Sequence, residues 1–175
     1  MGLPWNLLPS VDLKKKVIVR VQNQLSKLYQ KTVVNVPMKG YVSELCNNIP
    51  SMLGTSFSSL SDEDNVIISY FATEMKSSFD NYISNEKIDL VKTHGDFQPG
   101  NILCSEDDFW IIDWEYSDQR SIFYDALVFD LECRFPSGLV ARLNKKINEL
   151  SVKSDYLKWT GQSLDNKKSY YFSVF

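Results

Sequence analysis

Apolar residues recur at helical spacing early in the chain. Val17, Val21, Leu25 and Leu28 mark one face between Asp12 and Gln30, while Lys14 to Lys16, Arg20 and Lys27 take polar positions. That pattern predicts an amphipathic helix whose lysine run is a solvated face. Pro37, Gly40, Pro50 and Gly54 punctuate the next stretch and leave room for a short helix around Tyr41 to Asn47. Ser61 reads as an N-cap, with Asp62, Glu63 and Asp64 in the first turn, where carboxylates complement the helix dipole. Val66, Ile67, Tyr70, Phe71, Phe79, Tyr82 and Ile83 give this second long helix an apolar stripe expected to face a core.

The texture changes at Ile88. Leu90 to Val91, Ile102 to Cys104 and Phe109 to Ile112 are short apolar stretches separated by polar loops, and Ser105 to Asp108 reads as a hairpin turn. Helical patterning resumes near Ile122 and again from Leu139 to Leu150, and the tail from Asp165 has the makings of another helix. The final apolar run, Tyr170 to Phe175, leads us to expect that the natural protein continues. The chain shows no internal repeat or low-complexity tract. The predicted class is α+β, mainly helical, in a single domain over 1–175: helical over 11–84, loop and hairpin over 88–115, helical over 122–175.

Composition narrows the chemistry. A chain of 175 residues with a net charge of −3 lacks the basic surplus of a nucleic-acid protein. Its single histidine, His94, excludes sites that need two. Cys46, Cys104 and Cys133 are odd in number and far apart, as expected of reduced thiols serving as small core residues. The longest apolar runs hold four residues, against about 20 for a membrane span. With no signal-peptide pattern, the chain reads as soluble and cytoplasmic. No two glycines form a G-x-G, and Gly95 and Gly100 have Walker spacing but are followed by Asn101 where Lys is required.

Candidate chemistry concentrates in one segment. Thr93-His94-Gly95-Asp96-Phe97-Gln98-Pro99-Gly100-Asn101 places Asp96 and Asn101 on one short loop, and the hairpin then delivers Asp113 at a strand end. Asp96 can accept a proton from a hydroxyl, whereas Asn101 and Asp113 offer hard oxygen ligands suited to magnesium. Phosphoryl transfer asks for that set: a base that orients the nucleophile, and oxygen ligands that hold metal against phosphates. Structural alternatives exist for each residue. His94 would serve as a buried core histidine, Asp96 and Asn101 as turn residues beside Pro99-Gly100, and Asp113 as an N-cap. Trp114 reads as a packing residue.

These residues resemble the aminoglycoside phosphotransferase and choline kinase-like superfamily, relatives of the protein kinases. The resemblance rests on His94-Gly95-Asp96, Asn101, then Ile111-Ile112-Asp113-Trp114-Glu115, with Phe123-Tyr124-Asp125 downstream. It implies that Asp96 is the catalytic base and that Asn101 and Asp113 ligate Mg2+, with ATP as co-substrate. His94 and Asp125 would brace the loop. Glu115 and Tyr116 are candidate substrate contacts, facing a hydroxyl or an ammonium group, the aromatic through a cation–π contact.

The family's N-terminal lobe, with its phosphate-covering loop and strand lysine, is not identifiable among the 93 residues before His94. The chain therefore resembles the C-terminal lobe alone: an excised piece, a truncated product or half of a split enzyme, completed by an upstream polypeptide. The expected function is the catalytic lobe of a small-molecule kinase acting on a hydroxyl of an aminoglycoside, amino alcohol or sugar-like metabolite. By itself the chain is expected to transfer phosphate very slowly or not at all. Rival readings are a non-catalytic kinase-like binding or regulatory module and a magnesium-dependent hydrolase; the hydrolase gives no reason for the His-Gly-Asp frame.

Overall fold

The computed structural model describes residues 2–56, 61–82, 87–105, 107–135 and 137–149. The chain divides into two compact units, one formed by Met1–Val34 with Asp89–Phe175 and the other by Asn35–Ile88. The possible helix from Asp165 lies outside the described residues. No described helix is long and apolar enough to cross a membrane.

The first unit begins with strand β1 (Leu3–Pro4) and a single 3-10 turn, Trp5–Leu7. Helix α1 (Val11–Thr32) follows, started by Ser10, whose side chain accepts from the Leu13 backbone N–H. That bond satisfies one of the orphan donors of the first turn. Val17, Val21, Leu25 and Tyr29 recur every four residues and are all buried. They pack with Val91, Phe97, Ile102, Cys104, Ile122, Phe123, Ala126, Leu127 and Leu131 into one core. Each Val, Leu, Ile or Phe among them contributes about 1.5–3 kcal/mol by leaving water.

Two small antiparallel ladders cover this core. Strand β4 (Ile102–Cys104) pairs with β5 (Phe109–Ile111), and the Ser105 N–H closes the turn onto the Asp108 carbonyl at 2.8 Å. On the other edge of β4, Leu3 lies opposite Cys104 and Pro4 opposite Leu103. Strand β3 (Lys87–Thr93) pairs with β6 (Asp118–Ser121), from Leu90 opposite Ser121 to Thr93 opposite Asp118. Helices α4 (Tyr124–Asp130) and α5 (Leu139–Glu149) complete the unit.

The second unit holds most of strand β2 (Val34–Pro37) and the helices α2 (Met38–Ser56) and α3 (Asp62–Tyr82), which pack on each other. Two expectations are corrected here. Helix α2 is not a short segment around Tyr41 to Asn47; it runs through Gly40, Pro50 and Gly54. Glycine and proline bias the backbone locally, and packing against α3 overrides that bias. The apolar stripe of α3 does not form its core face either, because Val66, Ile67, Tyr70 and Phe71 are each more than half exposed. The enclosed line of α3 runs through Asn65, Ile68, Ser69 and Ala72 instead. Ile83 lies outside the described residues, as do the side chains of Phe79 and Tyr82. Ser61 does cap α3, its hydroxyl accepting from the Asp64 N–H and donating to the Asp64 carboxylate at 2.6 Å.

A third correction concerns cysteine. Cys46 and Cys104 are buried free thiols, but Cys133 is exposed in the turn after α4 and is not a core residue.

Candidate active site

Strand β3 ends at Thr93, and its continuation from His94 to Asn101 is a loop whose polar groups are nearly all committed. Phe97 is fully buried, anchoring the loop by stacking on Phe129 at 5.4 Å between ring centroids. His94 is also fully buried. Its Nδ1 accepts from the Asp96 N–H at 3.3 Å, so the ring proton resides on Nε2, which donates to the Ile112 carbonyl at 2.7 Å. One imidazole thereby ties the loop to the strand end that carries Asp113. The ring of Trp114 lies 4.7 Å from that of His94, centroid to centroid.

Beneath the loop sits Asp125, at the start of α4 and completely buried. Its carboxylate accepts from the His94 N–H at 2.7 Å, the Gly95 N–H at 3.0 Å and the Tyr29 hydroxyl at 2.8 Å. Burial pushes the Asp125 carboxyl above its ordinary value, opposed by those three donors. The Tyr29 phenol is pushed up well above its own, by burial first and then by the charge of Asp125.

Gly95 explains why the loop can lie where it does. It has a φ of +90°, and a Cβ there would stand 2.1 Å from the Tyr116 carbonyl oxygen. Only glycine permits that approach. Arg120 secures the same junction, donating to the Tyr116 carbonyl at 2.8 Å and to the Thr93 hydroxyl at 3.1 Å. Ser117 adds a 2.7 Å bond from its hydroxyl to the Thr93 carbonyl.

Asp96 and Asn101 meet directly. The Asn101 amide nitrogen donates to the Asp96 carbonyl at 2.9 Å and to its carboxylate at 3.2 Å, while Gln98 donates to the same Oδ2 at 3.0 Å. Both bonds use the Asn101 nitrogen, and Oδ1 accepts nothing from a described residue. The Ile112 N–H bonds the Asn101 carbonyl at 3.0 Å, which holds the strand end carrying Asp113 beside the loop.

Asp113 adopts a left-handed conformation, φ 62° and ψ 54°. Such geometry in a non-glycine residue is costly and clusters at functional sites. It occupies the N-cap position of the 3-10 turn Trp114–Tyr116, but its side chain makes no capping bond. Asp113 is exposed, and its carboxylate makes no hydrogen bond or ion pair with a described residue, although its charge acts on the Arg134 guanidinium.

The donor set fits a hard divalent cation: an exposed carboxylate on Asp113 and an uncommitted amide oxygen on Asn101, on segments tied by one backbone bond. Among the described residues there is no group of three or more His, Cys, Asp or Glu able to hold a metal, so any cation here would draw on the asparagine and on substrate oxygens. Glu115 and Tyr116 lie on the exposed face of the same turn. A groove of about 500 Å³, lined in part by Leu25, Leu28, Lys92, Trp110 and Trp114, lies beside the hairpin and includes none of Asp96, Asn101 or Asp113.

Sequence reasoning missed four residues that build this arrangement. Gly95 lies inside the motif, and its glycine is the signal that was available. Tyr29, a hydroxyl in an apolar stripe, reaches Asp125 across 96 positions, and Arg120 joins Thr93 across 27. Arg134 donates from Nη2 to Asp96 Oδ2 at 2.5 Å and from Nε to Oδ1 at 3.4 Å. Asp96 raises the guanidinium pKa further, through hydrogen bonding and then charge. Nothing in the sequence announces that pairing.

No protein-family model matches this chain, and no curated protein matches it. Among solved structures it is similar to a glucosamine kinase (crystal form B) at 13% identity and a TM-score of 0.43, covering 80% of this chain and 40% of that one. A glucosamine kinase in complex with glucosamine, ADP and inorganic phosphate matches at 11% identity and a TM-score of 0.42, covering 94% of this chain and 51% of that one. A third glucosamine kinase structure (crystal form A) gives 11% and 0.41, with 93% and 39% covered. The chain thus spans between 39% and 51% of the length of these structures.

Proposed function

We propose that this chain is the catalytic lobe of an ATP-dependent phosphotransferase that acts on the hydroxyl of a small molecule. One observation carries the reading: Asp96, Asn101 and the exposed, strained Asp113 are held together by a scaffold of buried hydrogen bonds centred on Asp125 and His94. A turn needs no such investment of buried polar groups.

In the proposed reaction Asp96 orients the acceptor hydroxyl and takes its proton. The alcohol oxygen bonds to the γ-phosphorus, the bond from that phosphorus to the β–γ bridging oxygen breaks, and ADP leaves with the electron pair. Asn101 and Asp113 would hold Mg2+, which supplies positive charge against the phosphate oxygens. Gln98 and Asn101 fix the rotamer of Asp96, and His94 and Asp125 hold the loop backbone against the strand end. Glu115 and Tyr116, exposed on the turn that follows Asp113, would recognise the acceptor. The acceptor class is an aminoglycoside, amino alcohol or sugar-like metabolite. A phosphate-covering loop and a strand lysine would come from polypeptide outside these 175 residues.

The test is transfer of labelled γ-phosphate from ATP to a panel of small alcohols, with the nucleotide-binding lobe supplied. Asp96→Asn should lower turnover by about 10²–10⁴-fold with modest change in nucleotide affinity. Undiminished turnover in that variant contradicts the base assignment. Rapid transfer by the 175-residue chain alone contradicts the need for a second lobe.

A further inference from the structure

We propose that Arg134 is a built-in counter-ion of this centre, whose guanidinium covers Asp96 and must swing away before a divalent cation and an acceptor hydroxyl are engaged. The inference rests on the reading above and adds a residue to it. Arg134 covers both carboxylate oxygens of Asp96, and its side chain is 60% exposed while that of Asp96 is 16% exposed. The guanidinium therefore reaches in from solvent over a mostly enclosed base.

Two consequences follow from the geometry. Asp96 Oδ2 already accepts from Arg134, Gln98 and Asn101, and Oδ1 accepts from Arg134 at 3.4 Å, so the guanidinium stands over the oxygen that would take a hydroxyl proton. Arg134 and Asn101 also share the same oxygen, Oδ2. A cation on the Asn101 side-chain oxygen would thus sit one side chain away from the guanidinium charge. Like charges that close oppose each other, so guanidinium and divalent cation compete for one acidic site.

The presentation of Arg134 is built into the chain. The turn between α4 and α5 is clamped by Arg142, which donates to the carbonyls of Leu131 at 2.8 Å, Ser137 at 2.8 Å, Glu132 at 3.4 Å and also Phe135. Glu132 has a φ of 47° and Gly138 one of 74°, so the turn holds a left-handed conformation at each end. With the carbonyls on both sides of Arg134 held by Arg142, the part left to move is the long side chain of Arg134 itself.

The experiment is a titration of the 175-residue chain with Mn2+, followed by water-proton relaxation, for wild type, Arg134→Gln, Arg134→Lys and Asp113→Asn. Arg134→Gln removes the charge at an exposed position and keeps the fold, checked by thermal melting. It should bind Mn2+ about three- to tenfold tighter than wild type, with the gain shrinking as salt is added. Arg134→Lys should stay near wild type, because the charge is retained. Unchanged or weaker Mn2+ binding in Arg134→Gln, with binding lost in Asp113→Asn, overturns the counter-ion and leaves the metal site standing. If neither wild type nor Arg134→Gln binds Mn2+ above Asp113→Asn, both fall.

Discussion

Between Thr93 and Asp125 the buried residues include His94, Asn101, Ser121 and Asp125, whereas α3 leaves Val66, Ile67, Tyr70 and Phe71 in water. One region encloses polar groups and the other exposes apolar ones. The loop can enclose them because nearly every one has a partner: Asp125 alone receives two backbone N–H groups and a phenol. Buried polar groups that are fully satisfied specify one geometry, because any rearrangement leaves a donor or acceptor unpaired. The exposed stripe of α3 carries no such penalty and fixes little. In this molecule precision comes from hydrogen bonds around a carboxylate, and the helix pair shows how loosely an apolar pattern alone assigns a face.

The largest effect should come from emptying the centre of that network. Asp125→Ala removes the acceptor for His94, Gly95 and Tyr29 together, and should cost about 3–5 kcal/mol in denaturant unfolding. A cost under about 1 kcal/mol would show that the loop does not depend on its brace. Next is Gly95→Ala, which meets the Tyr116 carbonyl and a forbidding φ at once. It should cost about 3 kcal/mol and weaken nucleotide binding, since the loop and the Asp113 turn can no longer close. Wild-type stability in that variant would mean that the two segments need not touch.

A smaller effect concerns pH. Burial raises the Asp125 pKa in the fold above its unfolded value of about 3.9. The folded state then holds that proton more tightly, so the burial cost is absent below the unfolded pKa. Stability declines as pH rises through the interval up to the folded pKa and then levels. Relative to Asp125→Asn, which cannot ionise, wild type should lose stability from about pH 4 upward. A wild-type gain with rising pH would show that the three donors outweigh burial. The smallest effect belongs to α3, where Phe71→Ser should change stability by no more than about 0.5 kcal/mol. A loss of several kcal/mol would mean that this face is covered.

The sequence displayed the two regions unequally. The spacing of Val17, Val21 and Leu25 placed α1, Ser61 with its acidic triplet placed the start of α3, and Ser105 to Asp108 placed the hairpin turn, because each is a local signal. The exposed face of α3 was misread because Ile67 and Phe71 interleave with Ile68 and Ala72. Periodicity shows that faces exist but not which one a neighbour covers. Helix α2 was cut short because glycine and proline were weighed without the packing that overrides them. The placement of Asp96 and Asn101 on one loop and of Asp113 at a strand end was legible, because motif and hairpin are local. Tyr29 and Arg134 were not, since their meeting with Asp125 and Asp96 exists only in the folded chain.

The central claim is that Asp96, Asn101 and Asp113 make one centre for metal-bound nucleotide. The decisive measurement is calorimetry of ATP binding with the nucleotide-binding lobe supplied, with and without Mg2+, in wild type and Asp113→Asn. Binding should require Mg2+ and be lost in Asp113→Asn while the fold is retained. ATP binding that is indifferent to Mg2+ and to Asp113, or no binding at all, contradicts it.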